Sequence, residues 1–274
     1  MNEKLINVNR LAKVEETMFI TLYARALDSK SKSPILGDKT AQNIVKRLDY
    51  NFMNLKVTKE KYNTAIRTKE LDDRIKRFIA SNPGAVVLDL GCGLDSRVLR
   101  VNPPDEVSWY DIDFPEVIKL RKHFYTERSG YYMIGTSLLD SNWLSGIPSN
   151  HPVIIVADGV LPFIEEKDIK ELFNRLTNYF HSGEIAFNGY TTLAVKLMKN
   201  TPSIKAIGIE ASMGFDDPRE PESWAPRLKL AEEAFLVKSP YASKMPLGFR
   251  ILSNLMSLSP TMKKEGGRIL LYKF

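Results

Sequence analysis

The feature that most constrains this chain is the run Ala85-Val86-Val87-Leu88-Asp89-Leu90, almost wholly apolar, which passes directly into Gly91-Cys92-Gly93. Asn82-Pro83-Gly84 ends the helical pattern before it and sets where the run begins. Because polar and apolar residues do not alternate, the run suits a strand covered on both faces, as parallel strands are. Glycine at 91 and 93 lets the backbone approach a ligand closely and adopt torsions closed to other residues. A plain strand–helix turn would show the same two glycines, so the pair alone defines no site. Its place after the first strand favours a ligand loop.

The residues downstream repeat the strand–helix theme. Val107-Ser108-Trp109-Tyr110-Asp111-Ile112 reads as a second strand, and Pro115 to Tyr125 as a helix. Pro152-Val153-Ile154-Ile155-Val156-Ala157 is a further strand, followed by a helix over Glu166–Phe180 and a strand at Glu184-Ile185-Ala186-Phe187. This alternation predicts an α/β fold with a mostly parallel sheet. Upstream, residues 10–30, about 40–48 and 62–80 carry helical spacing. Residues 189–245, rich in Pro, Met, Gly and aromatics, interrupt the alternation and read as a substrate-capping insertion. Strand patterns at Leu228–Val237 and Arg268–Tyr272 close the sheet, and the last is expected to run antiparallel for want of a crossover helix. The 274 residues then form one domain, 1–274, with an N-terminal helical lid at 1–80 and a cofactor-binding core at 84–188. The cap at 189–245 and a closing segment at 246–274 complete it.

Charge and composition narrow the function. The net charge is +6, yet the 39 lysines and arginines are scattered without a block of five, which fits a solvated surface and not nucleic acid. One cysteine, Cys92, allows no internal disulfide, and His123, His151 and His181 share no metal-ligand spacing. No window has the apolar length of a membrane span, and Met1-Asn2-Glu3-Lys4 does not open a signal peptide. A cytoplasmic enzyme with no membrane or nucleic-acid partner and no metal is expected.

The loop itself discriminates between cofactors. A dinucleotide fingerprint wants a third glycine where this chain has Ser96, and Asp95 would repel a diphosphate. S-adenosylmethionine lacks phosphate and carries a sulfonium and an amine, so an acidic loop suits it better. Asp111 and Asp113 end the second strand, where a carboxylate accepts both ribose hydroxyls; exposed loop acids would look the same in sequence. Asp158 ends the strand Val153–Ala157, as either a group for the cofactor's amine or a turn residue before Gly159. Arg25 and Arg67 lie on upstream helices; spacing alone makes them surface arginines as readily as carboxylate binders.

Taken together, Glu16-Thr-Met-Phe-Ile-Thr-Leu-Tyr-Ala-Arg-Ala26, Ile66-Arg67-Thr68 with Leu71-Asp72, Leu88–Arg97, Asp111–Val117, Ser137–Asp140 with Trp143, and Asp158–Leu161 resemble the leucine carboxyl methyltransferase superfamily. They are most similar to its bacterial, small-molecule branch. The resemblance implies a Rossmann-like methyltransferase fold with a seven-stranded sheet and S-adenosylmethionine as cofactor. It implies that Arg25 and Arg67 hold the cofactor carboxylate, Gly91 the glycine-loop contact, and Asp113 the ribose. Ser137 and Leu138 would flank adenine, and Asp158 would stand near the amine. Ser137 and Asp158 replace the Asp and Glu of the eukaryotic enzymes, which points away from a protein C-terminus as acceptor.

The expected reaction is O-methylation of a small carboxylic acid or phenol, such as a polyketide-like metabolite. The alternatives are an NAD(P)-dependent oxidoreductase on the same sheet and a carboxyl methyltransferase of a protein C-terminus. Lys196, Lys199, Lys205, Arg219, Arg227 and Lys229 either draw in an acidic acceptor or are ordinary surface charge. Tyr190, Met213, Phe215 and Trp224 are candidate pocket residues.

Overall fold

The computed structural model describes residues 5–57 and 60–274. Met1–Lys4 and residues 58–59, parts of the expected lid, lie outside the described residues.

Among the described residues, three helices longer than a single turn precede the sheet: α1 (Met18–Ser29), α2 (Lys39–Arg47) and α3 (Glu60–Ser81). The helix expected over 10–30 is divided at Thr17, so that a short turn at Lys13–Glu16 enters α1. Asp38 caps α2 by accepting the Ala41 N–H at 3.0 Å. Ile6–Asn7 pairs in parallel with Leu48–Asp49, tying the start of the described chain to the end of α2.

The sheet begins with β1 (Val86–Leu90), followed by α4 (Arg97–Val101), β2 (Ser108–Asp113) and α5 (Pro115–Arg121). Then come β3 (Tyr131–Gly135), β4 (Val153–Ala157), α6 (Glu166–Tyr179) and β5 (Gly183–Gly189). The stretch after β5 holds α7 (Thr192–Met198), α8 (Pro202–Ile207) and β6 (Lys229–Phe235). The chain closes through α9 (Leu247–Leu258), α10 (Pro260–Glu265) and β7 (Arg268–Lys273).

The seven strands lie in the order β3-β2-β1-β4-β5-β7-β6. The first five run parallel, and β7 enters antiparallel between β5 and β6. The α/β fold with a mostly parallel sheet is therefore as expected, including the direction of the last strand. Side-chain alternation feeds two cores. Val87, Trp109, Ile154 and Ala186 pack with Phe19, Leu22, Leu71 and Ile75 of the N-terminal helices. Val86, Leu88, Ile155 and Phe187 pack on the other face with Leu172, Phe173 and Leu176 of α6. Among the described residues no helix is long and apolar enough to cross a membrane.

Candidate active site

The carboxyl ends of β1, β2, β4 and β5 open onto one cavity of about 600 Å³. Open parallel sheets bind ligands at this edge, where strand order reverses on either side of the first strand. All seven residues singled out in the sequence, Arg25, Arg67, Gly91, Asp113, Ser137, Leu138 and Asp158, line it.

The glycine loop is built around its missing side chains. Gly91 has φ +62°, and a Cβ there would collide with Val160 Cγ2. Gly93 has φ +51°, and a Cβ there would come 3.0 Å from the side chain of Met18 on α1. Between them Cys92 is buried, and burial pushes its thiol well above the usual range, so it stays protonated.

Asp111 and Asp113 have different surroundings, because the second stands where β2 gives way to its loop. Asp111 is wholly buried, held by Arg121 at 2.5 Å, Trp109 Nε1 at 2.8 Å and the Tyr131 hydroxyl at 2.6 Å. Asp113 lines the cavity and accepts the Gly93 N–H and the Phe114 N–H, each at 2.7 Å. Burial pushes its carboxyl up to about 6, against the lowering effect of those two N–H donors.

Behind the loop lies a charge cluster that the sequence pattern does not announce. Arg97 contacts Asp72 at 3.0 Å, Asp89 at 2.7 Å and Asp158 at 2.8 Å. Arg100 contacts Asp72 at 2.7 Å, Asp95 at 2.6 Å and Asp38 at 3.1 Å. Arg25 lies 3.3 Å from Asp38 and 3.5 Å from Asp95, and Arg67 lies 2.5 Å from Asp158. Five carboxylates face four guanidiniums, and burial pushes the Asp89 carboxyl up to about 7, so the cluster is close to charge balance near neutral pH. The available signal was the Arg97–Arg100 pair, three residues apart on the helix that leaves the loop.

Arg67 also keeps hydrogen-bonding capacity beside Asp158. Asp158 Oδ2 accepts from Arg97 and from the Thr68 hydroxyl at 3.1 Å, while Oδ1 lies 2.5 Å from Arg67 Nε. Arg67 Nη1 donates to the Tyr190 hydroxyl at 2.9 Å, while Nη2 has no partner among the described residues. One free guanidinium donor therefore stands beside the paired carboxylate on the cavity wall. Ser137 and Leu138 form its far end, where Arg175 and Trp143 Nε1 donate to the Leu138 carbonyl and fix that turn.

The other pocket expectations divide. Tyr190 lines the cavity, but Met213, Phe215 and Trp224 pack in the core beneath α6. None of Lys196, Lys199, Lys205, Arg219, Arg227 and Lys229 lines it. Arg227 instead donates to the Thr177, Phe180 and His181 carbonyls, and Arg219 pairs with Glu222 at 3.3 Å. Asn188, which no sequence motif marks, does line the cavity. No cluster of metal-ligating side chains occurs among the described residues.

Sheet order, glycine loop and the acid after the second strand are together those of the S-adenosylmethionine-dependent methyltransferases. Within that class the chain belongs to the leucine carboxyl methyltransferase family, whose model matches residues 18–177. It is 39% identical over 233 residues to the tetracenomycin polyketide synthesis O-methyltransferase of Streptomyces glaucescens, covering 85% of this chain and 86% of that protein. It is 32% identical over 250 residues to the S-adenosyl-L-methionine-dependent methyltransferase dpfgK of Gibberella zeae, covering 83% and 84%. In fold it is similar to the plantazolicin methyltransferase BpumL in complex with SAH, at a TM-score of 0.52 and 12% identity, over 96% of this chain and 98% of that one.

Proposed function

We propose that this methyltransferase acts on an oxygen of a small carboxylic acid or phenol, with Arg25, Arg67, Gly91, Asp113, Ser137, Leu138 and Asp158 holding the cofactor. The observation that carries the cofactor assignment is the free donor on Arg67 Nη2, held on the cavity wall by the ion pair of Arg67 with Asp158. A guanidinium with a free donor beside a carboxylate suits the carboxylate and ammonium carried on one carbon. The glycine cradle admits a backbone approach that a Cβ would block.

When bound, S-adenosylmethionine supplies a methyl group activated by the sulfonium. An acceptor oxygen would supply the lone pair for the new bond to the methyl group, and the carbon–sulfur electron pair would stay with sulfur. Arg67 and Asp158 would hold the amino-acid end of the cofactor and Asp113 its ribose, which would orient the methyl group toward the acceptor. Orientation is then the protein's main contribution. A carboxylate acceptor is ionised at neutral pH and needs no base. Support for an oxygen acceptor comes from the similarity to the Streptomyces glaucescens O-methyltransferase.

The test is transfer of a radiolabelled methyl group to a panel of aromatic acids, phenols, leucine-terminated peptides and RNA. Labelling of at least one acid or phenol is expected. Labelling confined to peptides or RNA would overturn the acceptor class.

A further inference from the structure

The ribose end of the cavity lies at β2 and the amino-acid end at β1 and β4. Sheet order places β5 next, beyond the amino-acid end and away from the ribose. Whatever receives the methyl group must approach from a side the cofactor leaves open, and the carboxyl end of β5 borders that side.

Two polar groups stand there. Asn188 is 4% exposed. Its Oδ1 accepts the Gly159 N–H at 2.6 Å, which fixes the amide's orientation and leaves Nδ2 as the group with no partner. A buried, unpaired amide donor is costly unless something fills it. Tyr190 follows two residues later and lines the same cavity. Its hydroxyl oxygen accepts from Arg67 Nη1, which leaves its own proton free to be donated. The two residues are joined through Gly159 and Arg67, which pack so closely that a Cβ on Gly159 would come 3.3 Å from Arg67 Nη2.

We propose that Asn188 Nδ2 and the Tyr190 hydroxyl form the acceptor subsite, two donors that hold the oxygen-bearing end of an anionic acceptor, a carboxylate or phenolate. This assignment rests on the methyltransferase reading above and adds the residues that select the acceptor. Donors suit this role because they orient an anionic oxygen without taking up its lone pair as a proton would. Ile20, Leu197, Met198, Ile204 and Leu236 offer apolar contact to a ring or alkyl body, with Thr201, Ser203, Glu265 and Arg268 also in the lining.

The test uses the whole protein saturated with S-adenosylhomocysteine and titrated calorimetrically with 2-naphthoate, an aromatic carboxylate probe. Asn188→Ala removes the amide donor without adding a charge, while Tyr190→Phe keeps the ring. The parent should bind 2-naphthoate, and each variant should bind it about tenfold more weakly, the scale of a hydrogen bond to a charged group. Affinity for S-adenosylhomocysteine should stay within about threefold of the parent. Equal naphthoate affinity in both variants overturns the subsite, and so does an S-adenosylhomocysteine-loaded parent that takes up no naphthoate. A parallel loss of S-adenosylhomocysteine affinity would assign the two groups to the cofactor instead. Failure of the parent to bind S-adenosylhomocysteine at all would strike the underlying reading, and is visible separately in the first titration.

Discussion

Asp111 and Asp113 stand two residues apart and do opposite work. Asp111 neutralises the buried Arg121, so removing it leaves an unpaired internal guanidinium, a loss of about 3–5 kcal/mol in stability. Asp113 faces the cavity, and Asp113→Asn should weaken S-adenosylhomocysteine binding by about 1–3 kcal/mol with little change in melting temperature. Its carboxyl, raised from 3.8 to about 6, makes binding pH-dependent with a definite sign. Ribose hydroxyls donate to the ionised form, so affinity should fall as pH drops below about 6, and Asp113→Asn should abolish that limb in calorimetry. Stability of the free protein runs the other way. The contribution of Asp113 is present below the unfolded value and is lost as pH rises through about 6. At Gly91, alanine would need both a left-handed backbone and room that Val160 occupies. Gly91→Ala should therefore lower the melting temperature and cofactor affinity together, while Gly91→Ala with Val160→Ala should recover part of the stability.

Among the elements, α1 is as much core as cover. Phe19 and Leu22 are wholly buried, and Phe19 packs against Tyr50 and Phe52 at ring distances of 4.5 and 5.6 Å. Leu22→Ala should cost about 2–5 kcal/mol in denaturant unfolding, a core value that a detachable flap would not show. How far such elements are legible in sequence depends on how their burial is distributed. β1 and β4 are buried at every position and stand out as unbroken apolar runs. β3, Tyr131–Gly135, alternates between buried and exposed at the sheet's edge, and its residues form no run to notice. Gly130 was the usable signal. It has φ +76°, and a Cβ there would come within 2.9 Å of the Val107 carbonyl, the mark of a tight entry into a strand. α9 escaped for a different reason. Leu247, Ile251, Leu252, Leu255 and Leu258 are exposed, so its pattern does not follow the inward-facing stripe by which helices are recognised.

At the scale of the whole molecule, the same division holds for the site. Glycines, Asp113 and Asp158 were readable because strand ends fix where they lie, and Arg25 and Arg67 only through the family resemblance. The partners that restrain them, Asp38, Asp72, Arg97 and Arg100, come together from α2, α3 and α4, and no local spacing announces a contact between residues 62 positions apart. Of the six basic residues whose role the sequence leaves open, none lines the cavity, and Arg227 and Arg219 serve backbone carbonyls and a surface pair. Methyl transfer to an acidic acceptor should accordingly show little dependence on salt once substrate is saturating, because no lysine or arginine of the cap region named above meets it.

The place of β7 imposes an order on events. β6 precedes it in the chain yet lies outside it, paired among the described residues with no other strand of the sheet. The ribosome therefore finishes β6 at Phe235 well before it reaches Arg268, where the strand that β6 needs begins, while β1 to β4 already have their neighbours. In pulse-labelling hydrogen exchange during refolding, the amides of Leu230–Phe235 should gain protection last, after those of β1 and β4. Until then β5, the strand that carries Asn188, presents a bare edge, and a cell making this protein has to keep that edge from finding another chain.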